Sequence, residues 1–167
     1  MSAPNMTPLD QRLRDTEYMK FNNWGKILAY LKRQFDQWAT AKLNDHGYKN
    51  FKMAYMPVLM NIGPEGTNNN ELAKNARVTK QAMSKVAKEL IGSGYIKAKT
   101  DATDKRSIIF MLTDKGKKLV IDARLSVKDL MDEYRSVVGH DEYDRTMQTL
   151  VKIVAYTDEK LTKEGNA

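Results

Sequence analysis

The 167-residue chain contains no cysteine, which excludes disulfides and thiol redox sensing. Histidine occurs only twice, at His46 and His140, both in apparent breaks between helices. Isolated histidines are more often solvated or helix-capping than metal ligands, so no metal site is expected. No glycine-rich phosphate loop and no nucleophile elbow is present, so the sequence offers no enzymatic chemistry and no cofactor is expected. No stretch approaches the roughly 18 uninterrupted apolar residues of a membrane span. Residues 1–10 have neither a basic leader nor an apolar core, which argues against a secretory signal and for a cytoplasmic protein. No internal repeat is visible.

What is present is an ordinary globular composition, 41% hydrophobic and 29% charged, with length for one domain or two lobes sharing a core. The formal net charge is +7, and its location says more than its size. Residues 70–118 hold twelve Lys/Arg against five Asp/Glu, while the remainder holds sixteen of each. All of the surplus therefore sits on one stretch, as in a module that binds phosphates. A lysine-rich surface without a partner would show no such concentration.

That stretch reads as helix, turn, helix, basic hairpin and the start of another helix. Asn70 is a candidate cap for a short helix whose Leu72 and Ala73 face inward, and Ala76-Arg77-Val78 forms the turn. Thr79 is placed to cap a second helix, accepting an otherwise unpaired backbone N–H. There Ala82, Met83, Val86, Ala87 and Leu90 recur at helical spacing as a buried stripe, leaving Lys80, Gln81, Ser84, Lys85 and Lys88 outside. Gly92-Ser93-Gly94 ends it. Residues 95–100 and 107–112 alternate as strands around a polar loop that closes on Lys105-Arg106. Thr113 then caps the next helix.

This combination resembles the MarR family of bacterial transcription regulators. The resemblance rests on Glu71-Leu72-Ala73, Val78-Thr79-Lys80, the helix exit from Leu90 to Ile96, Asp104-Lys105-Arg106 and Leu112-Thr113-Asp114-Lys115-Gly116. It implies a mainly α fold with a small β-hairpin wing: a winged helix-turn-helix joined to a helical dimerisation layer. On that plan residues 1–15 are a flexible arm, and 16–46 with 119–163 are the dimerisation region. Residues 47–118 are the DNA-binding region. The flanking sequence fits. Phe21, Trp24, Ile27, Leu28, Leu31, Phe35 and Trp38 make one amphipathic helix, running from Glu17 or Phe21 to about Leu43. A second helix over 51–61 contains Pro57, so it either starts near there or is kinked. Two long helices, about 114–138 and from Asp141 or Glu142 to about Lys163, carry the remaining apolar faces. A loop is expected over 63–70.

The resemblance implies a homodimer that presents two recognition helices about one DNA turn, roughly 34–36 Å, apart on a pseudo-palindromic operator. In the major groove Gln81 has the amide geometry for adenine, and Lys80 or Lys85 suits guanine or phosphate. Thr79 and Ser84 read as phosphate contacts, although Thr79 serves equally as a plain cap. By the resemblance Arg106 enters the minor groove, Asp104 orients the wing, and Lys97, Lys99 and Lys105 meet the backbone of double-stranded DNA. The resemblance further implies a repressor released by a small aromatic or anionic effector. Trp24, Tyr48, Phe51, Tyr55, Met56 and Met60 are candidates to line its cavity, at a spacing a plain core would also show. Two competing readings remain open: an architectural, sequence-indifferent DNA binder and a winged-helix module that binds protein.

Overall fold

A computed structural model describes residues 6–20, 23–101 and 105–164. Contacts divide the chain into two compact units, one ending at Pro57 and one beginning at Val58.

The first unit opens with α1, Pro8–Asp15, where the sequence suggested a loose arm. Thr7 and Asp10 form a capping box: the Thr7 hydroxyl oxygen accepts from Asp10 N at 3.2 Å, and Asp10 Oδ2 accepts from Thr7 N at 2.8 Å. Pro8 occupies the first helical position, where its missing N–H is no loss. A 3-10 turn, Glu17–Lys20, leads to α2, Trp24–Asp45, capped by Asn23. Phe21, expected within this helix, lies outside the described residues. The α2 periodicity is as expected, yet only Ala39 and Leu43 are buried, and Trp24, Ile27, Leu28, Leu31 and Phe35 are exposed. After Gly47 a 3-10 turn, Met53–Tyr55, precedes α3, Met56–Met60. Pro57 therefore stands in the first turn of a helix that begins beside it, and no kink is needed.

The second unit contains the core. Val58, Leu59, Leu72, Met83, Leu90, Ile96 and Leu119 are essentially inaccessible. They come from the end of α3, from α4 (Asn69–Asn75), α5 (Lys80–Gly92), β2 (Ile96–Thr100) and α6 (Asp114–Val138). Burying each such side chain is worth about 1.5–3 kcal/mol. A short β1, Thr67–Asn68, replaces part of the expected loop and pairs antiparallel with β3, Ile108–Leu112, giving the strand order β1-β3-β2. Gly66, at φ 94°, makes this possible: a Cβ there would stand 2.6 Å from Ile109 Cγ2 and 2.9 Å from the Phe110 carbonyl. Because β1 fixes the register, Asn68 rather than Asn70 caps α4, accepting from Glu71 N at 2.9 Å.

The last helices are α6 and α7, His140–Glu164, joined at Gly139 (φ 90°). Arg135 locks the joint: Nη2 donates to Asp144 Oδ1 at 3.0 Å, and the guanidinium lies 4.8 Å from the Tyr143 ring. Asp144 in turn raises the Arg135 pKa above its ordinary value through this hydrogen bond, so the charge persists. Among the described side chains of α7 only Tyr143 is buried, while Met147, Val151, Val154 and Leu161 are exposed, as are Leu125 and Val138 of α6.

The wing hangs from one junction. Tyr95 O accepts from Thr113 N at 3.0 Å, the Thr113 hydroxyl donates to Gly94 O at 2.7 Å, and its oxygen accepts from Gly116 N at 3.1 Å. A Cβ on Gly116 would fall 2.0 Å from the Tyr95 carbonyl oxygen. Gly116→Ala is therefore expected to destabilise the protein by about 3 kcal/mol through backbone displacement, measured by urea denaturation. Lys117→Ala, an exposed neighbour, should lie within about 0.5 kcal/mol of the unmodified chain.

Candidate nucleic-acid interface

Helix α5 forms because Thr79 caps it and its apolar residues fall on one face. The Thr79 hydroxyl oxygen accepts from Ala82 N at 3.1 Å. Met83, Ala87 and Leu90 are buried and Val86 is half-buried. Ala82, expected in the buried stripe, is exposed in the first turn. Gln81, Ser84, Lys85 and Lys88 are exposed at steps of three, one and three residues, which puts them along one outward face. Lys80 is the first residue of α5, and its side chain lies outside the described residues.

The preceding turn sets where that face begins. Val78 N donates to Ala73 O at 3.0 Å and Arg77 N to Lys74 O at 3.1 Å, closing the end of α4. Arg77 holds φ 54°, a left-handed conformation usually given to glycine. At the other end of α5, Tyr95 N donates to Leu90 O at 2.9 Å, so the helix runs directly into the wing.

In the wing, β2 and β3 pair Lys97 with Met111 and Lys99 with Ile109. Lys97 and Lys99 are exposed and, two residues apart, project to the same side of the strand about 6.6 Å apart. Asp101 N donates to Ser107 O at 2.9 Å, closing the hairpin below its tip. Lys105 and Arg106 are exposed there. Asp104, expected to orient the wing, lies outside the described residues. The structure thus gathers the exposed side chains of Gln81, Ser84, Lys85, Lys97, Lys99, Lys105 and Arg106, with the Thr79 cap, on two adjoining elements of one unit. Lys115 closes the base of the wing: its ammonium donates to Ser93 O at 2.8 Å and sits 4.4 Å from the Tyr95 ring. Burial pushes the Tyr95 phenol pKa up, so this ring stays neutral beside the cation.

The residues expected to line an effector cavity are not all brought together. Phe51 and Tyr55 meet edge to face at 6.0 Å, next to Met56 in sequence. Trp24 begins α2, whereas Tyr48 follows its end, with Tyr48 N bonded to Leu43 O at 2.8 Å. At 1.5 Å per residue the helix separates them by about 28 Å, so Trp24 cannot share one small cavity with Tyr48 in the same chain. Arg77, which the sequence reading used only as a turn residue, acquires a partner: Nη2 donates to Asp158 Oδ2 at 2.6 Å, across 81 residues. No local pattern announces that contact. Among the described residues no cluster of three or more His, Cys, Asp or Glu is placed to hold a metal, and no helix is long and apolar enough to cross a membrane.

Three comparisons bear on this geometry. The family model described as MarR family matches residues 50–107. The exopolysaccharide II synthesis transcriptional activator ExpG of Rhizobium meliloti is 26% identical over 139 residues, covering 83% of this chain and 70% of that protein. Among solved structures, the S. aureus MepR–DNA complex superposes with a TM-score of 0.68 at 20% identity, covering 81% of this chain and 98% of that one. The transcriptional repressor CouR bound to a 23-mer DNA duplex gives 0.59 at 26% identity, covering 75% and 89%.

The cap at Thr79 has a measurable weight of its own. Thr79→Ala should lower stability by about 1 kcal/mol and Thr79→Asn should retain it, read by urea denaturation. If Thr79→Asn keeps stability but weakens DNA binding, the hydroxyl acts on DNA as well as on the helix.

Proposed function

We propose that this chain, a winged-helix protein of the MarR family, is a homodimeric transcription regulator that binds a pseudo-palindromic double-stranded operator sequence-specifically. The observation that carries this reading is the location of the charge: the whole surplus of seven positive charges lies in residues 70–118, on the helix-turn-helix and wing. Phosphate neutralisation supplies affinity, and the outward face of α5 supplies base-edge contacts. Gln81 reads adenine, Lys80 or Lys85 reads guanine or phosphate, and Thr79 and Ser84 fix register. Arg106 enters the minor groove, and Lys97, Lys99 and Lys105 hold the backbone. That two of the similar solved structures named above are complexes with DNA supports a DNA-binding reading.

Dimerisation follows from the uncovered apolar faces. Leu125 is 56% exposed and Val151 64% exposed in the isolated chain. Residues 147, 151, 154 and 161 make a stripe at heptad-like spacing on α7. Such a contiguous apolar face marks a protein interface. In this reading residues 16–46 and 119–163 form the dimer layer and 47–118 the DNA-binding region. Val151→Asp should convert the dimer to a monomer in analytical ultracentrifugation and abolish tight operator binding while leaving the winged-helix core folded.

The test of the function is binding to DNA upstream of the chain's own gene, against unrelated competitor, over a salt series. Specific binding should exceed non-specific binding by at least about 10³. The logarithm of the binding constant should fall linearly with log salt, by about 0.9 per phosphate neutralised. Gln81→Ala should relax preference at one base position, at a cost of about 1–3 kcal/mol for the preferred base. Arg106→Ala should weaken binding chiefly at A/T-rich flanks. Equal losses for every sequence from both variants would favour the architectural binder, and no salt-dependent binding would favour the protein-interaction module.

A further inference from the structure

Among the described residues one ion pair crosses from the helix-turn-helix to the C-terminal helix. Arg77 Nη2 stands 2.6 Å from Asp158 Oδ2. Arg77 occupies the position after the α4 cap with φ 54°, where glycine is comfortable and a residue bearing a Cβ is less so. The sequence thus keeps a long cationic side chain at a backbone position that favours none. Asp158 is equally out of character. It continues the spacing of Val151 and Val154 towards Leu161, a carboxylate interrupting an apolar stripe. Beside the pair lies an open cleft of about 700 Å³, lined by Asn61, Lys74, Asn75, Leu161 and Thr162. Across that opening the pair is a strut between elements that are not closely packed there.

We infer that Asp158 is a positioning residue for DNA recognition: by holding Arg77 it couples the turn that starts α5 to helix α7, and so sets the angle at which the recognition helix is presented. This inference rests on the DNA-binding reading above. The pair is exposed, 67% and 47% at its two side chains, so its weight is modest. An exposed pair of this kind corresponds to about a two- to fivefold effect on an equilibrium. The effect falls on specificity, because α5 must meet base edges in register, whereas loose phosphate contacts tolerate a small rotation.

The sign of the effect discriminates. Asp158→Asn removes a negative charge, so simple electrostatics predicts tighter binding to every DNA. Release of Arg77 to meet phosphate would act in the same direction. The strut predicts the reverse for the operator: specific affinity falls about two- to fivefold, while affinity for unrelated duplex is unchanged or rises. Asp158→Glu should keep the ratio of specific to non-specific binding. Arg77→Gly should lower that ratio although it relieves the backbone and leaves thermal stability equal or higher. In the free protein, amide hydrogen exchange over 76–82 should accelerate in Asp158→Asn and not in Asp158→Glu. The inference is overturned if Asp158→Asn leaves exchange over 76–82 unchanged, or raises operator and unrelated binding alike. If the unmodified chain discriminates no DNA sequence, the DNA reading fails, and the exchange comparison still decides whether the pair holds the turn.

Discussion

The carbonyl of Tyr95 is the point on which the DNA-facing half of the molecule depends. It leaves the end of α5, accepts the Thr113 amide at 3.0 Å, and lies where a side chain on residue 116 would have to be. One three-residue spacing thereby does two jobs. Thr113 caps α6 through Gly116 N, and Gly116 lets that first turn approach the backbone of the preceding strand. Both ends of the hairpin are pinned within a few ångströms of each other, so the wing projects from a fixed base. The end of α5, the base of the wing and the start of α6 are thereby joined at one point. The Leu-Thr-x-x-Gly signature at 112–116 is thus the covalent trace of a close backbone crossing.

The helices beyond that joint obey a different constraint. Helices α2, α6 and α7 are long and amphipathic, yet much of the apolar face of each stays open in one chain. Apolar surface left in water forgoes about 25 cal/mol per Å², and stripes of this length exceed what a monomeric surface ordinarily shows. In the proposed dimer a second copy would cover these faces, since a two-fold interface pairs the same surface patch on both subunits. In that proposal the dimer layer would set the distance between two recognition helices, linking stability to operator spacing.

Legibility in the sequence followed the strength of local signals. The α5 face, the wing strands and α6 carried caps, turn residues and periodicity that all agreed, and the structure reproduces their limits to within a residue or two. Elements without such redundancy were missed. Strand β1 has two residues and no period; it exists because Gly66 lets the chain lie against β3. Among Asn68, Asn69 and Asn70 each is an equally good cap, and only that strand pairing selects Asn68. Helix α1 lies in the segment expected to be a flexible arm, although Thr7 and Asp10 spell a capping box. The resemblance grouped Trp24 with Tyr48 as cavity lining, but the length of α2 separates them within one chain. The Arg77–Asp158 contact, closed over 81 residues, has no local signature at all.

Charge and specificity then fall on different parts of the chain. The positive surplus of residues 70–118 attracts any nucleic acid and is indifferent to sequence. In the proposed docking, discrimination falls to Gln81 and its neighbours on the outward face of α5, and so depends on how α5 is held. The Tyr95 junction holds its far end through backbone contacts that no solvent ion can displace. Its near end is held by the Thr79 cap and by a turn whose Arg77 reaches out to α7 across an open, solvated pair. The two ends of the recognition helix are therefore unequally secured. A rearrangement of α7 at Asp158 bears on the near end of α5 before its far end.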